Sequence, residues 1–301
     1  MNLRECIRLM AVAIAICTFC LLTSPRATAQ DTAWVHFANA SNTVGNLTYL
    51  DHPFCNNNPR ASLMVTPTGL PYPQGNTTFD RHNLGVWYDG GRQRWAIFHQ
   101  DSTPMSPVNP AEWSGTSFNV WANSNYRSSR FVQVATAPAG KSNCTYIDNA
   151  SINGNPYALL YITQVWDPEN HGYGGIYNDA LTGVFYDSGR GQWAIMNIDG
   201  RSMPTGAAFF VFVDNVNMHF ATSGSISANY TLLDDSWTWR SINALTFITT
   251  NVAPYGVYAA PNQHVAGVMW NRESGVWSII NQDYAPMLPG SCYNTKQILA
   301  R

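Results

Sequence analysis

The chain has 301 residues, of which 45% are hydrophobic, 13% aromatic and 11% charged, the last about half of the roughly 25% found in an ordinary globular protein. So much core-forming material excludes a disordered chain. A formal net charge of -2 with only two lysines, Lys141 and Lys296, leaves no basic footprint for nucleic acid.

At the N-terminus, Arg4 and Arg8 precede an apolar run over 9–22, and Ala27-Thr28-Ala29 follows in the small-x-small pattern cut by signal peptidases. At the helical rise about 14 residues span only about 21 Å, short of the roughly 30 Å hydrocarbon core. Residues 1–29 therefore read as a cleaved signal peptide, which predicts a secreted, extracellular protein, with the periplasm or cell surface as further destinations. No later segment is long and apolar enough to form a transmembrane span. Cys55, Cys144 and Cys292 remain after cleavage, enough for one disulfide with a thiol left over. Their pairing stays open, and their spacing resembles no zinc site.

Three copies of one unit follow. The block Asn46-Leu47-Thr48-Tyr49-Leu50-Asp51 recurs as Asn143-Cys144-Thr145-Tyr146-Ile147-Asp148 and Asn229-Tyr230-Thr231-Leu232-Leu233-Asp234. A second block begins at Ala61, Ala158 and Ala244 and ends at Thr66, Thr163 and Thr249. A third runs from Gly85-Val86, Gly183-Val184 and Gly267-Val268 to Trp95, Trp193 and Trp277, each with an Asp six residues on: Asp101, Asp199 and Asp283. A closing block ends at Phe118, Phe209 and Tyr293.

Runs of five to eight residues rich in Val, Ile, Thr and aromatics alternate with Gly, Pro, Asn and Asp clusters, and no helical stripe persists. Asp89-Gly90-Gly91-Arg92 and Asp187-Ser188-Gly189-Arg190 are hairpin turns. Apolar residues on both faces of the strands call for a sandwich or closed barrel. The predicted fold is all-β: three tandem antiparallel β-sandwich-like repeats over 30–122, 131–213 and 220–301, packed together through short linkers at 123–130 and 214–219.

The strings Gly85-Val86-Trp87-Tyr88-Asp89, Trp95-Ala96-Ile97-Phe98-His99-Gln100-Asp101 and Met203-Pro204-Thr205-Gly206-Ala207-Ala208-Phe209 resemble a repeated domain of unknown function found in secreted, mostly bacterial proteins. The resemblance covers nearly all of the chain after the signal. It implies extracellular β-rich repeats and carries no established activity. The third copy departs from the pattern with Met269-Trp270-Asn271, where the others have an aromatic, Tyr and Asp.

Several residue sets bear on function. Asp101, Asp199 and Asp283, with Asp51, Asp148 and Asp234, suggest either calcium ligation or Asx turns, of which the turns are preferred. Trp95, Trp193 and Trp277 are sugar platforms or core, with core preferred because each alternates with Ile on a strand. Ligand-binding candidates lie instead in less regular segments: Trp166, His171, Tyr173 and Tyr177 in copy two, and Tyr72, Phe79 and His82 in copy one. His99 aligns with Asn197 and Asn281, which argues against a general base in every copy. Sequons at Asn39, Asn46, Asn76, Asn143, Asn149 and Asn229 read first as turn residues.

No metal-binding, nucleophile-elbow or phosphate-loop motif occurs, so no residue is assigned as catalytic. The expected function is that of a secreted, non-enzymatic binding protein, lectin-like or adhesin-like, with a glycan or other cell-surface ligand. The alternatives are a structural, self-assembling extracellular protein and a hydrolase with its site in one repeat, built on His99 and Asp101. No cofactor is required beyond possible calcium, and the oligomeric state is open.

Overall fold

Branched and aromatic runs cut by turn residues satisfy their backbone N–H and C=O groups by pairing into sheets. The computed structural model describes residues 31–69, 79–106, 115–124, 129–136, 142–168, 175–214, 217–234 and 240–299. The first repeat contains β1 (Asp31–Phe37), β2 (Thr43–Val44), β3 (Leu47–Tyr49), β4 (Ser62–Pro67), β5 (Leu84–Asp89), β6 (Arg94–His99) and β7 (Ser117–Asn123). The second has β8 (Arg130–Val134), β9 (Cys144–Tyr146), β10 (Leu159–Trp166), β11 (Thr182–Asp187), β12 (Gln192–Asn197) and β13 (Ala208–Asp214). The third has β14 (Asn217–Phe220), β15 (Ile226–Ser227), β16 (Tyr230–Leu232), β17 (Ala244–Ala253), β18 (Ala266–Asn271), β19 (Val276–Asn281) and β20 (Cys292–Leu299). Among the described residues no helix is long and apolar enough to cross a membrane.

Each repeat is a two-layer sandwich. One layer sets its last strand between its first and a middle strand, in the orders β1-β7-β4, β8-β13-β10 and β14-β20-β17. The other holds the Gly-Val and Trp-x-Ile hairpin with the short strands before it, β2-β3-β6-β5, β9-β12-β11 and β15-β16-β19-β18. Trp95, Trp193 and Trp277 anchor three cores, the first of which runs on into Tyr161, Phe210 and Phe212 of the second repeat and Phe247 of the third. The span expected as the second linker, 214–219, contributes most of β14.

The sheets continue from one repeat into the next. Strand β5 pairs in parallel with β10, and β11 with β17. A parallel bridge between Thr68 and Val268 returns the third repeat to the first. The register matches at all three joins: Val86 opposes Val165, Val184 opposes Asn251, and Val268 opposes Thr68. The three sandwiches therefore close into a ring with pseudo-three-fold symmetry.

Two signatures of the sequence serve these joins. Threonine Oγ1 atoms accept from the backbone of the neighbouring repeat: Val65 N–H to Thr163 at 3.0 Å, Ile162 to Thr249 at 3.1 Å and Ile248 to Thr66 at 3.3 Å. The glycines before the second and third hairpin valines lie against the next repeat, whereas Gly85 lies under Phe98 and Gln100 of its own. A Cβ would meet the Thr250 carbonyl oxygen at 2.9 Å from Gly183, and that of Pro67 at 2.8 Å from Gly267. At the centre of the ring, Trp121 packs edge-on to Phe212 and Tyr161, with Phe247 beside it.

Candidate functional site

Most residues repeated in all three copies hold the fold. Trp95, Trp193 and Trp277 are at most 1% exposed, and each indole N–H donates to a loop carbonyl at 2.9 Å, of Asn58, Asn155 and Ser241 respectively. Each also packs against the aromatic seven residues before it, Tyr88, Tyr186 or Trp270. The Asn46, Asn143 and Asn229 amides donate to the carbonyls of His99, Asn197 and Asn281 and so pin the end of the Trp strand. Asp89 and Asp187 accept the N–H groups of their own hairpin turns and the hydroxyls of Tyr49 and Tyr146.

Asp101, Asp199 and Asp283 each cap the turn that follows their strand, accepting the N–H groups of Thr103, Arg201 and Ala285. The second carboxylate oxygen takes His82 Nδ1 at 2.7 Å, Arg201 Nε at 2.6 Å and His264 Nδ1 at 2.7 Å. Burial disfavours the Asp101 carboxylate. The bonds from Thr103 and His82 outweigh it and hold Asp101 below the usual carboxylate range. Each aspartate serves its own repeat, and among the described residues the three form no common cluster.

Behind them, every repeat has a buried polar pair 19 residues apart in sequence. In the second and third repeats it is a pair of amides: Asn178 Nδ2 donates to Asn197 Oδ1 at 2.8 Å and receives the reverse bond at 3.1 Å, and Asn262 donates to Asn281 at 2.7 Å. In the first repeat the pair is Asp80 and His99, with Nε2 3.0 Å from Oδ2 and both side chains 2% exposed. His99 Nδ1 lies 2.8 Å from the Thr103 carbonyl oxygen, so both ring nitrogens face acceptors. Burial pulls the His99 pKa down, but the bond to Asp80, its charge and the Thr103 carbonyl together raise it above the ordinary value. The His82 ring stacks on His99 with centroids 4.4 Å apart. Sequence reading picked out His82, His99 and Asp101 but missed Asp80. The 19-residue offset shared with Asn178 and Asn262 was the signal that would have found it.

A second local feature lies where β5 meets β10. There Trp87, Phe98, Trp166 and Tyr177, with Asn46 and Leu47, line a cleft of about 150 Å³. Trp166 lies edge-on to Trp87 and tilted against Tyr177, which lies edge-on to Phe98. Tyr177 is 52% exposed. The Trp166 indole N–H is buried and has no acceptor among the described residues. Two candidates from sequence, Trp166 and Tyr177, are thus brought together, whereas His171, Tyr173 and Tyr72 lie outside the described residues. Phe79 packs edge-on against Tyr284, and His82 belongs to the polar cluster.

The model of one family, a domain of unknown function (DUF7452), matches three times, over 19–111, 110–190 and 183–296. The chain belongs to this family. Neither a curated protein nor a solved structure matches it. Within the three DUF7452 copies, conserved geometry and local chemistry separate cleanly. The positions of Trp87, Phe98 and Trp166 are held by Phe185, Met196 and Val252 in the next join, and by Met269, Ile280 and Gly69 in the third. The aromatic cleft is therefore peculiar to the join between the first and second copies, and the Asp–His pair to the first copy.

Proposed function

We propose that this is a secreted binding protein that holds a ring-bearing neutral ligand, a glycan, in the cleft of Trp87, Phe98, Trp166 and Tyr177. The observation that carries this reading is a cluster of four aromatic rings at one join, where the sister joins manage with smaller side chains. Aromatic faces stack on the apolar face of a sugar, while Asn46, whose Nδ2 is committed to the His99 carbonyl, offers its side-chain oxygen at the cleft to a hydroxyl. At about 150 Å³ the cleft has room for one ring rather than a long oligomer. Export is supported by the signal-like segment at 1–29. The enclosed repeat tryptophans take no part, so binding rests on one site per chain.

Glycan-array screening of the purified protein tests this reading, followed by titration of any hit against Tyr177→Ala. Specific binding lost in that variant is expected. Binding that persists undiminished in Tyr177→Ala, or silence across the array at high protein concentration, overturns it.

A further inference from the structure

We propose that Asp80, His82 and His99 form a site for one divalent transition-metal ion, with Zn2+ the ion best suited to their donors. The potential ligand atoms of these three residues all lie within 4.8 Å of one another. Asp80 Oδ2 and His99 Nε2 are 3.0 Å apart. Two ligands on tetrahedral zinc with bonds of 2.0–2.1 Å are about 3.3 Å apart, so this pair needs almost no rearrangement. His82 is 30% exposed and stacked beside His99, and it is the ligand with room to swing in.

The outer contacts match those of a metal-bound histidine, which almost always gives its other ring N–H to a carboxylate or backbone carbonyl. Nδ1 of His82 is bonded to Asp101 and Nδ1 of His99 to the Thr103 carbonyl. That leaves Nε2 of His99 toward Asp80, where an ion would replace the hydrogen bond between them. Two imidazoles and one carboxylate suit zinc and its neighbours, whereas calcium calls for six to eight oxygens. His82 also lines a cavity of about 110 Å³ on the pseudo-three-fold axis, where Val65, Ile162 and Ile248 meet.

Folding does not require this set. The second repeat uses Asn178, Ala180 and Asn197 at the same places, and the third uses Asn262, His264 and Asn281. Each closes the pair with amides alone. Among the described residues, three metal-type donors meet only in the first repeat.

The test is isothermal titration and native mass spectrometry of the chelator-stripped protein with ZnCl2. One Zn2+ per chain is expected. The Asp80→Asn/His99→Asn double variant restores the sister amide pair, and should lose affinity by at least about 100-fold with its circular dichroism unchanged. Asp101→Asn should weaken binding about 10-fold by releasing His82. A wild-type protein that takes up no Zn2+ at 100-fold excess overturns the proposal. So does a folded double variant that binds as tightly as wild type.

Discussion

The Asp80 carboxylate lies 3.0 Å from Nε2 of His99, where sister repeats place one amide against another. A buried charge pair depends on both members, and removing one leaves the other without its partner. His99→Ala should therefore destabilise the protein by about 3–5 kcal/mol in urea unfolding. Asp80→Asn/His99→Asn should cost under about 1 kcal/mol, because it recreates an arrangement the fold already uses twice. A loss as large for the double variant as for His99→Ala would show that the amide pair does not substitute for the charged one.

Two aromatic substitutions should behave oppositely. Tyr177 is half exposed, and Tyr177→Ala should shift stability by less than about 1 kcal/mol while removing ligand binding. Trp193 is fully enclosed and hydrogen-bonded, and Trp193→Ala should cost about 3–5 kcal/mol. Thermal unfolding alongside binding titration separates these effects.

Thr163→Val keeps the shape of the side chain and removes the oxygen that accepts from Val65 N–H. A buried donor without its acceptor costs about 1–3 kcal/mol, and Thr249→Val should cost a similar amount. Chemical denaturation of the two variants checks this. No change in midpoint would mean that these hydroxyls do not tie the repeats together.

Gly183→Ala should be destabilising although the backbone there suits any residue, because the new methyl would press on the Thr250 carbonyl oxygen and Ile198. A loss of about 1–3 kcal/mol is expected from overpacking. Gly154→Ala is a contrasting case: its site is open, and its φ of +72° makes backbone strain the only cost.

Burial lowers the pKa of His36 from 6.5 to about 4. The unfolded chain then binds the proton more readily, so this residue's contribution is complete above pH 6.5 and is lost as pH falls toward 4. About 2 kcal/mol should disappear between pH 7 and pH 5. His36→Gln installs the residue that stands at the matching position in the second repeat, Gln133, and should flatten this part of the curve. Urea midpoints of both proteins at the two pH values measure the difference.

The repeat, its strand content and the structural role of its tryptophans were legible in the sequence, because patterning and self-alignment report burial directly. The parallel joins were not: pairing between units depends on register across copies, which no local pattern encodes. The glycines of the Gly-Val blocks carried that information, but a glycine without positive φ looks the same in a free strand as in a crowded seam. Trp166 and Tyr177 were visible as aromatics beside an irregular segment, although Trp166 is itself the last residue of β10. Their partners Trp87 and Phe98 sat within regular strands and read as ordinary sheet residues.

The seam between Thr68 and Val268 joins parts of the chain about 200 residues apart. Linear arrays of repeats need special end units to shield their exposed faces, and can lengthen one unit at a time. Here each third shields the next, and the last shields the first. The number three is thus fixed by closure: a duplication or loss of one unit would break the cycle of joins in which each repeat has a neighbour on both sides. Synthesis must also reach the final third before the first has its permanent neighbour, so acquisition of native structure is expected to be late, slow and all at once.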